Sequence, residues 1–151
     1  MIRTSVIAVA ACLALMGAGT LRADLAKAKA ERNLGRRSRL ALDNANAQFR
    51  AASQAYKDGG NWETAAAALN EVRESVELAY AAVKETGKQP RRSGEYKNLE
   101  IKTRALLKKL KDFLQTLGVD ERDRVAPTVA YVERVHDEVL ESIMEPGKGK
   151  R

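Results

Sequence analysis

The stretch YKDGGNWETAAAAL, residues Tyr56–Leu69, decides how the chain is organised. Two adjacent glycines and an asparagine separate an aromatic residue from a run of alanines. Glycine readily adopts the left-handed backbone conformation that a tight corner needs. Alanine favours helix, and its small side chain lets a neighbouring helix approach closely. The stretch therefore predicts a corner between two closely packed helices, with Trp62 covering their junction and Ala65 at their contact.

On both sides of this corner, apolar residues recur at alternating steps of three and four, the spacing of an amphipathic helix. Four helices are predicted, with the approximate bounds Asp24–Asp58, Trp62–Thr86, Glu95–Leu117 and Asp120–Glu145. Asp24 is expected to cap the first of them. Whether that helix continues through Arg32 to Arg39 stays open. In the fourth helix, Pro127 marks either a kink or the first turn of the main helix after a short preceding one.

The same patterns predict the fold class. No segment shows sustained two-residue alternation rich in Val, Ile and Thr, so an all-α protein is expected. The apolar stripes contain steps of seven residues, which suit nearly antiparallel helices packed at shallow angles. The expected fold is an antiparallel up-down-up-down four-helix bundle, built from paired helical hairpins, over residues 24–145.

The net charges of the predicted helices alternate in sign along the chain. The first has eight basic and four acidic residues, the second two and five, the third six and three, and the fourth three and eight. If each helix neighbours the next and the fourth returns beside the first, every adjacent pair has opposite net charge. Exposed ion pairs contribute only about 0–1 kcal/mol each. The alternation is therefore expected to bias the topology, while burial of the apolar stripes supplies the stability.

The segment FRAASQAYKDGGNWETAAAALNEV, Phe49–Val72, resembles one tetratricopeptide repeat and covers about 24 of the 151 residues. The matching positions are the aromatic residues Phe49 and Tyr56, the corner Gly60-Asn61-Trp62, and the small residue Ala65 where the two helices touch. Ser53 departs from the usual glycine, and no proline ends the repeat. No second copy follows at a spacing of about 34 residues, so a solenoid groove is not expected. The resemblance implies a tight helical hairpin, with a peptide-binding repeat as the alternative.

The N-terminal stretch MIRTSVIAVAACLALMGAGTLRAD has the order of a secretory signal peptide: a basic residue, an apolar run and then small residues. The apolar run from Val6 to Met16 is about half of the roughly 20 residues that cross a bilayer as a helix. We predict a signal peptide over residues 1–23, with cleavage after Ala23 or, alternatively, near Gly17-Ala18-Gly19. A retained membrane-proximal helix is the other interpretation.

Export to the periplasm or the extracellular space follows from this prediction. A helical domain over residues 24–145 and a basic disordered tail over residues 146–151 complete the expected organisation. Cys12 lies in a loose match to a lipobox, so its lipidation is an alternative to ordinary cleavage. If residues 1–23 are removed, no cysteine remains, which excludes disulfides and thiolate metal sites.

Catalytic and cofactor motifs are largely missing from the sequence. His136 is the sole histidine, and Glu133-x-x-His136 would need a second such pair to form a di-iron site. Haem attachment, Gly-x-Ser-x-Gly and phosphate-loop motifs do not occur. We predict no enzymatic activity, no metal and no cofactor, and we expect His136 to be a partly buried residue on the apolar stripe.

Clusters of basic residues are the candidate partner-binding groups. They are Arg32, Arg36 and Arg39 in the first predicted helix, Arg91 and Arg92 in the loop GKQPRRSG, and Arg104, Lys108 and Lys111 in the third helix. Nucleic acid would suit such charge, but no stacking aromatic residues are interleaved with it. An exported protein also rarely meets nucleic acid. The expected partner is an unknown protein or an anionic envelope component such as lipid headgroups or polymers, with no nucleic acid and no transmembrane anchor.

Taken together, these features predict a small exported, non-enzymatic helical protein that acts as an interaction or scaffold module. Two alternatives stay open. One is a ligand or cofactor carrier that uses the bundle interior near His136 and Tyr131. The other is an electrostatic binder of an anionic envelope surface.

Overall fold

The computed structural model describes the backbone of residues 17–145 and the side chains of residues 24–145. This part of the chain contains five α-helices and no strand. The helices are α1 (Gly17–Ala30), α2 (Leu34–Lys57), α3 (Trp62–Glu85), α4 (Gly94–Thr116) and α5 (Val119–Met144), and a 3-10 turn spans Pro90–Arg92. The all-α prediction is confirmed. Most of the predicted signal peptide and the basic tail lie outside the described residues.

The first predicted helix is in fact two helices, separated at residues 31–33. Asn33 has an extended backbone, and its side chain accepts a hydrogen bond from the Arg36 N–H at 2.8 Å, which caps α2. The Glu31 carboxylate in turn accepts from the Asn33 N–H at 2.9 Å. Arg32 therefore lies in the break, and α1 already begins at Gly17, so Asp24 is not a helix cap.

The other three helices begin and end within one or two residues of their predicted bounds. α5 runs unbroken from Val119 to Met144 with Pro127 inside it. Pro127 therefore does not begin a separate helix.

The corner between α2 and α3 has the conformation that its glycines predict. Gly59 and Gly60 have φ angles of 116° and 69°, which only glycine adopts without strain. Asn61 caps α3 by accepting from the Thr64 N–H at 3.1 Å. Ala65 is fully buried where the helices approach each other. The prediction of a tight helical corner is confirmed.

Glu121, in the first turn of α5, ties this corner to the rest of the protein. Its carboxylate accepts hydrogen bonds from the Tyr56 hydroxyl at 3.0 Å, the Trp62 indole N–H at 3.2 Å and the Gly118 N–H at 3.1 Å. The Gly118 N–H, followed by the Tyr56 hydroxyl, lowers the pKa of Glu121 below its ordinary value. One carboxylate thus connects α2, α3 and α5 while it is ionised.

These bonds predict a loss of stability in acid. Because the pKa of Glu121 is lower in the folded state, its contribution is fully present above the ordinary carboxyl pKa of 4.5 and disappears as the pH falls below it. Compared with the wild type, Glu121→Gln is expected to melt at a lower temperature near pH 7. Its melting temperature should also fall less between about pH 6 and pH 3. The fluorescence of Trp62, the sole tryptophan, reports the transition.

The matched control is Asp120→Asn, which changes an exposed carboxylate in the same first turn of α5. It should keep the wild-type dependence of melting temperature on pH. If Glu121→Gln also kept that dependence, the carboxylate would not join the corner to α5.

The core consists mainly of leucine and valine side chains of α2 to α5 that pack against one another. The largest fully buried side chains are Leu42, Leu69, Leu99, Leu106, Leu110, Val72, Val76, Val83, Val125, Val132, Val135 and Val139. Burial of each contributes roughly 1.5–3 kcal/mol relative to an exposed position. The most extensive helix contacts are those of α2 with α3 and of α4 with α5, and α1 packs against α2.

A buried polar cluster lies between α2 and α3. The Asn44 amide donates to the Glu71 carboxylate at 3.0 Å and to the Ser75 hydroxyl at 2.9 Å. The Gln48 amide donates to the same Glu71 oxygen at 3.1 Å. Buried polar groups are costly unless they are hydrogen-bonded. The cluster therefore favours one register of α2 against α3.

Two of the smaller contacts place helices of like charge next to each other, and a third joins the oppositely charged α3 and α4. α2 packs against α4, and α3 packs against α5, whereas the contact between α2 and α5 is slight. α2 has five basic residues and one acidic residue, and α4 has six and three. α3 has two basic and five acidic residues, and α5 has three and seven. These neighbours differ from the expected return of the fourth predicted helix to the side of the first.

Candidate functional site

Five of the basic residues singled out in the sequence lie near the beginnings of α2 and α4. Arg32 precedes α2, Arg36 and Arg39 lie in its first two turns, and Arg91 and Arg92 form the turn before α4. The two helix beginnings are close together, since a Cβ atom at Gly35 would lie 3.4 Å from the Cγ atom of Glu95. All five basic residues are exposed.

Their ion pairing is sparse. Arg36 lies 3.6 Å from the Glu31 carboxylate. Among residues 24–145, no carboxylate lies within 4.0 Å of the other four, which are Arg32, Arg39, Arg91 and Arg92.

The three candidates in α4 lie elsewhere and are paired. Arg104 contacts Glu100 at 3.4 Å, and Lys108 contacts Asp112 at 2.9 Å. Lys111 reaches across to Glu133 of α5. The structure therefore does not bring these three together with the arginines at the helix beginnings.

Two grooves follow one another along the contact between α2 and α4, and we call them together the α2–α4 seam. The first groove, of about 290 Å³, is lined by Gly35, Ser38, Arg39, Gly94, Glu95 and Asn98. The second groove, of about 380 Å³, is lined by Asp43, Asn46, Arg50, Lys102, Ala105 and Lys109. Four cationic side chains line the seam, and of these only Arg39 was a candidate from the sequence.

The sequence contains a partial indication of the missed residues. Lys102 and Lys109 are seven residues apart on one flank of the apolar stripe of α4, and Arg104 and Lys111 are seven apart on the other. Both pairs have the same helical periodicity. Which flank faces α2 depends on the packing of the whole protein, so the spacing does not distinguish them.

The two carboxylates that line the seam have cations of their own. The Lys88 ammonium group, by its hydrogen bond, lowers the pKa of Glu95 to about 2, and the Ser93 hydroxyl donates to the same carboxylate at 2.9 Å. Asp43 lies 4.0 Å from Lys102. Lys102 is itself one of the four cations that line the seam, so these four and Lys88 together face two carboxylates, which leaves an excess of positive charge.

On the side formed by α3 and α5, several basic side chains lie against aromatic rings. The Tyr131 ring lies between Arg73, 5.3 Å from its centroid, and Arg134, at 5.0 Å. Lys84 lies 4.6 Å from the ring centroid of Tyr80. Burial, followed by a hydrogen bond to Glu138, raises the pKa of Tyr80 to about 12. This acidic side therefore offers few free cations to an anionic partner.

His136 is largely buried, as the sequence predicts, with 12% of its side chain exposed. Its Nε2 atom lies 3.3 Å from Glu100 and its Nδ1 atom 3.1 Å from Asp137. Within residues 24–145, no group of three or more His, Cys, Asp or Glu side chains is placed to hold a metal ion. Both ring nitrogens are thus close to carboxylates of the protein itself.

Two further findings concern the chain as a whole. None of the helices in residues 17–145 combines the length and the apolar character that a membrane crossing requires. Comparison of the chain with protein-family models, with curated proteins and with solved structures found no match.

Proposed function

We propose that the protein is a small exported, non-enzymatic interaction module that binds an anionic component of the cell envelope through the α2–α4 seam. The observation that carries this proposal is the packing of two basic helices side by side. It gathers Arg39, Arg50, Lys102 and Lys109 along one contact. Charges of one sign on one surface add their fields and attract a partner of the opposite sign.

The helix arrangement behind this surface is also a proposal: two antiparallel hairpins, α2–α3 and α4–α5, lie side by side. Contacts that run in opposite directions along α2 and α3 support it, namely Arg37–Glu85 at 3.8 Å, Asn44–Ser75 at 2.9 Å and Gln48–Glu71 at 3.1 Å. Between α2 and α4, the contacts Asp43–Lys102 and Asn46–Lys109 advance in the same direction. Like-charged helices are neighbours in this arrangement, so an anionic partner would relieve their repulsion.

Export is supported by the charge, apolar and small-residue order of residues 1–23. The tetratricopeptide resemblance of Phe49–Val72 stays a prediction, and we assign that segment a structural role as the hairpin corner. The partner is then an envelope molecule that meets the seam after export.

The test is binding of the processed protein to isolated envelope fragments in a sedimentation assay. Binding is expected at about 50 mM salt and should be largely lost at about 500 mM, where screening shortens the range of the field to a few ångströms. The double variant Arg50→Gln/Lys109→Gln should bind weakly even at low salt.

The matched control is Arg104→Gln/Lys108→Gln, which also removes two exposed positive charges, both of them on α4. It should bind like the wild type. Equal losses in the two variants, or binding that resists salt, would contradict the proposal.

A further inference from the structure

We infer that the α2–α4 seam holds a single extended polyanion, such as a linear phosphate-rich polymer, rather than the flat surface of an anionic bilayer. This inference rests on the proposed function, because it specifies the anionic partner of the same surface. Three features of the seam carry it: its shape, the spacing of its cations and its lack of large apolar side chains.

The seam is concave and long. Its two grooves run in succession from Gly35 to Arg50 on α2 and from Gly94 to Lys109 on α4. At about 1.5 Å of rise per residue, each of these helix segments is roughly 22 Å long. A flat surface would meet only the rims of such grooves, whereas a flexible chain can lie along their floors.

The cations are placed along the length of the seam and on both of its walls. α2 supplies Arg39 and Arg50, and α4 supplies Lys102 and Lys109. At about 1.5 Å per residue, the two lysines are roughly 10 Å apart along α4 and the two arginines roughly 16 Å apart along α2. A polymer with closely spaced negative charges brings one near each cation, which a single small anion does not.

Ser38 offers a hydrogen-bond donor to a partner that enters the groove. Its side chain lines the first groove although the residue is only 3% exposed. Its hydroxyl makes no hydrogen bond to any residue from 24 to 145. The hydroxyl is not enclosed by the protein, since the Asn44 side-chain oxygen is the one fully buried side-chain polar atom without a partner in residues 24–145. A phosphate oxygen of a chain lying in the groove can therefore accept its hydrogen bond.

The lining of the seam also argues against a bilayer. Helices that lie on a membrane insert large apolar side chains between the lipids. Ala105 is the only apolar residue besides glycine in the two grooves. The large apolar side chains that are exposed, Ile101, Val119 and Met144, do not line the seam.

The experiment measures the affinity of the processed protein for linear inorganic polyphosphate of graded length by fluorescence anisotropy. Affinity per chain is expected to rise with polymer length and to level off when the extended chain reaches about 22 Å. At about 100 mM salt, Arg50→Gln/Lys109→Gln should weaken binding about tenfold or more and reduce the slope of log affinity against log salt by about two. Arg104→Gln/Lys108→Gln should leave both unchanged.

Ser38→Ala separates entry into the groove from simple attraction. It should weaken binding several-fold while leaving the salt slope unchanged, because it removes a neutral donor rather than a charge. An unchanged affinity would mean that the polymer stays on the rim, and it would overturn the inference.

Vesicles that contain anionic lipid form the second arm. Binding to these vesicles through Arg50 and Lys109, without binding to polyphosphate, would overturn the inference and leave the proposed function standing. Binding to neither probe nor to envelope fragments would overturn both.

Discussion

Replacing Asn44 with aspartate is expected to lower the free energy of unfolding by roughly 3–5 kcal/mol at neutral pH. Asn44 is 3% exposed, and its amide donates to both Glu71 and Ser75. Aspartate has nearly the same shape, but when ionised it has no donor and places a second carboxylate at hydrogen-bond distance from Glu71. The change therefore converts the contact with Glu71 into repulsion and buries a charge to which, of the two former acceptors, only the Ser75 hydroxyl can donate.

The dependence on pH distinguishes this mechanism from a simple packing defect. Burial and the neighbouring Glu71 raise the pKa of the new carboxyl above its ordinary value of about 4. Its neutral form is tolerated and regains a donor, so the deficit relative to the wild type is small at low pH and grows as the pH rises through the raised pKa. Denaturant unfolding followed by circular dichroism, at about pH 4 and pH 7, measures the difference.

Asn46→Asp is the matched control, two residues further along α2. Asn46 is only partly buried, and its side-chain oxygen accepts from Lys109 at 3.1 Å. Aspartate at this position gives up the amide hydrogen bond to the Leu42 carbonyl at 3.1 Å but places a full charge opposite Lys109, so a change within about 1 kcal/mol is expected. Equal losses in the two variants, or an Asn44→Asp deficit that persists in acid, would mean that Asn44 does not take part in the buried cluster.

Local features of the sequence were sufficient to predict most helices. The bounds of α3, α4 and α5 follow from apolar spacing, and the corner follows from Gly59 and Gly60, because each of these signals acts within a few residues. The sequence leaves open whether the first predicted helix continues through Arg32 to Arg39, although Asn33 is a favourable cap. The apolar pattern lies in the second half of that helix, and periodicity alone does not reveal where a helix ends and a new one begins.

Local sequence patterns do not determine which helices pack against each other. Alternating charge suggested that oppositely charged helices are adjacent, but each exposed ion pair is worth only about 0–1 kcal/mol. Burying one large apolar side chain is worth roughly 1.5–3 kcal/mol, so the apolar contact of Phe49 with Phe113 outweighs such a pair. The candidate site depends on this outcome. Arg39 could be chosen from the sequence, whereas Arg50, Lys102 and Lys109 became candidates only when α2 and α4 were seen to be neighbours.

Phe113→Ala tests the packing of α2 against α4 directly. We expect it to lower the free energy of unfolding by about 3–5 kcal/mol. Phe113 of α4 is 6% exposed. Its ring meets the rings of Phe49 and Tyr56 of α2 edge to face, with centroid distances of 6.0 Å and 5.6 Å. Alanine would leave a cavity at this joint between α2 and α4. Leu114→Ala, at the adjacent and only partly buried position, should cost clearly less.

A double-mutant cycle with Phe49→Ala makes the test specific to the α2–α4 contact. Edge-to-face aromatic pairs contribute about 0.5–1.5 kcal/mol beyond their buried area, so a coupling energy of that size is expected between Phe49 and Phe113. Distant residues show coupling close to zero. A coupling energy near zero would contradict the contact between α2 and α4. The cations of α2 and α4 would then no longer share a surface, because the joint that holds the two basic helices together would be missing.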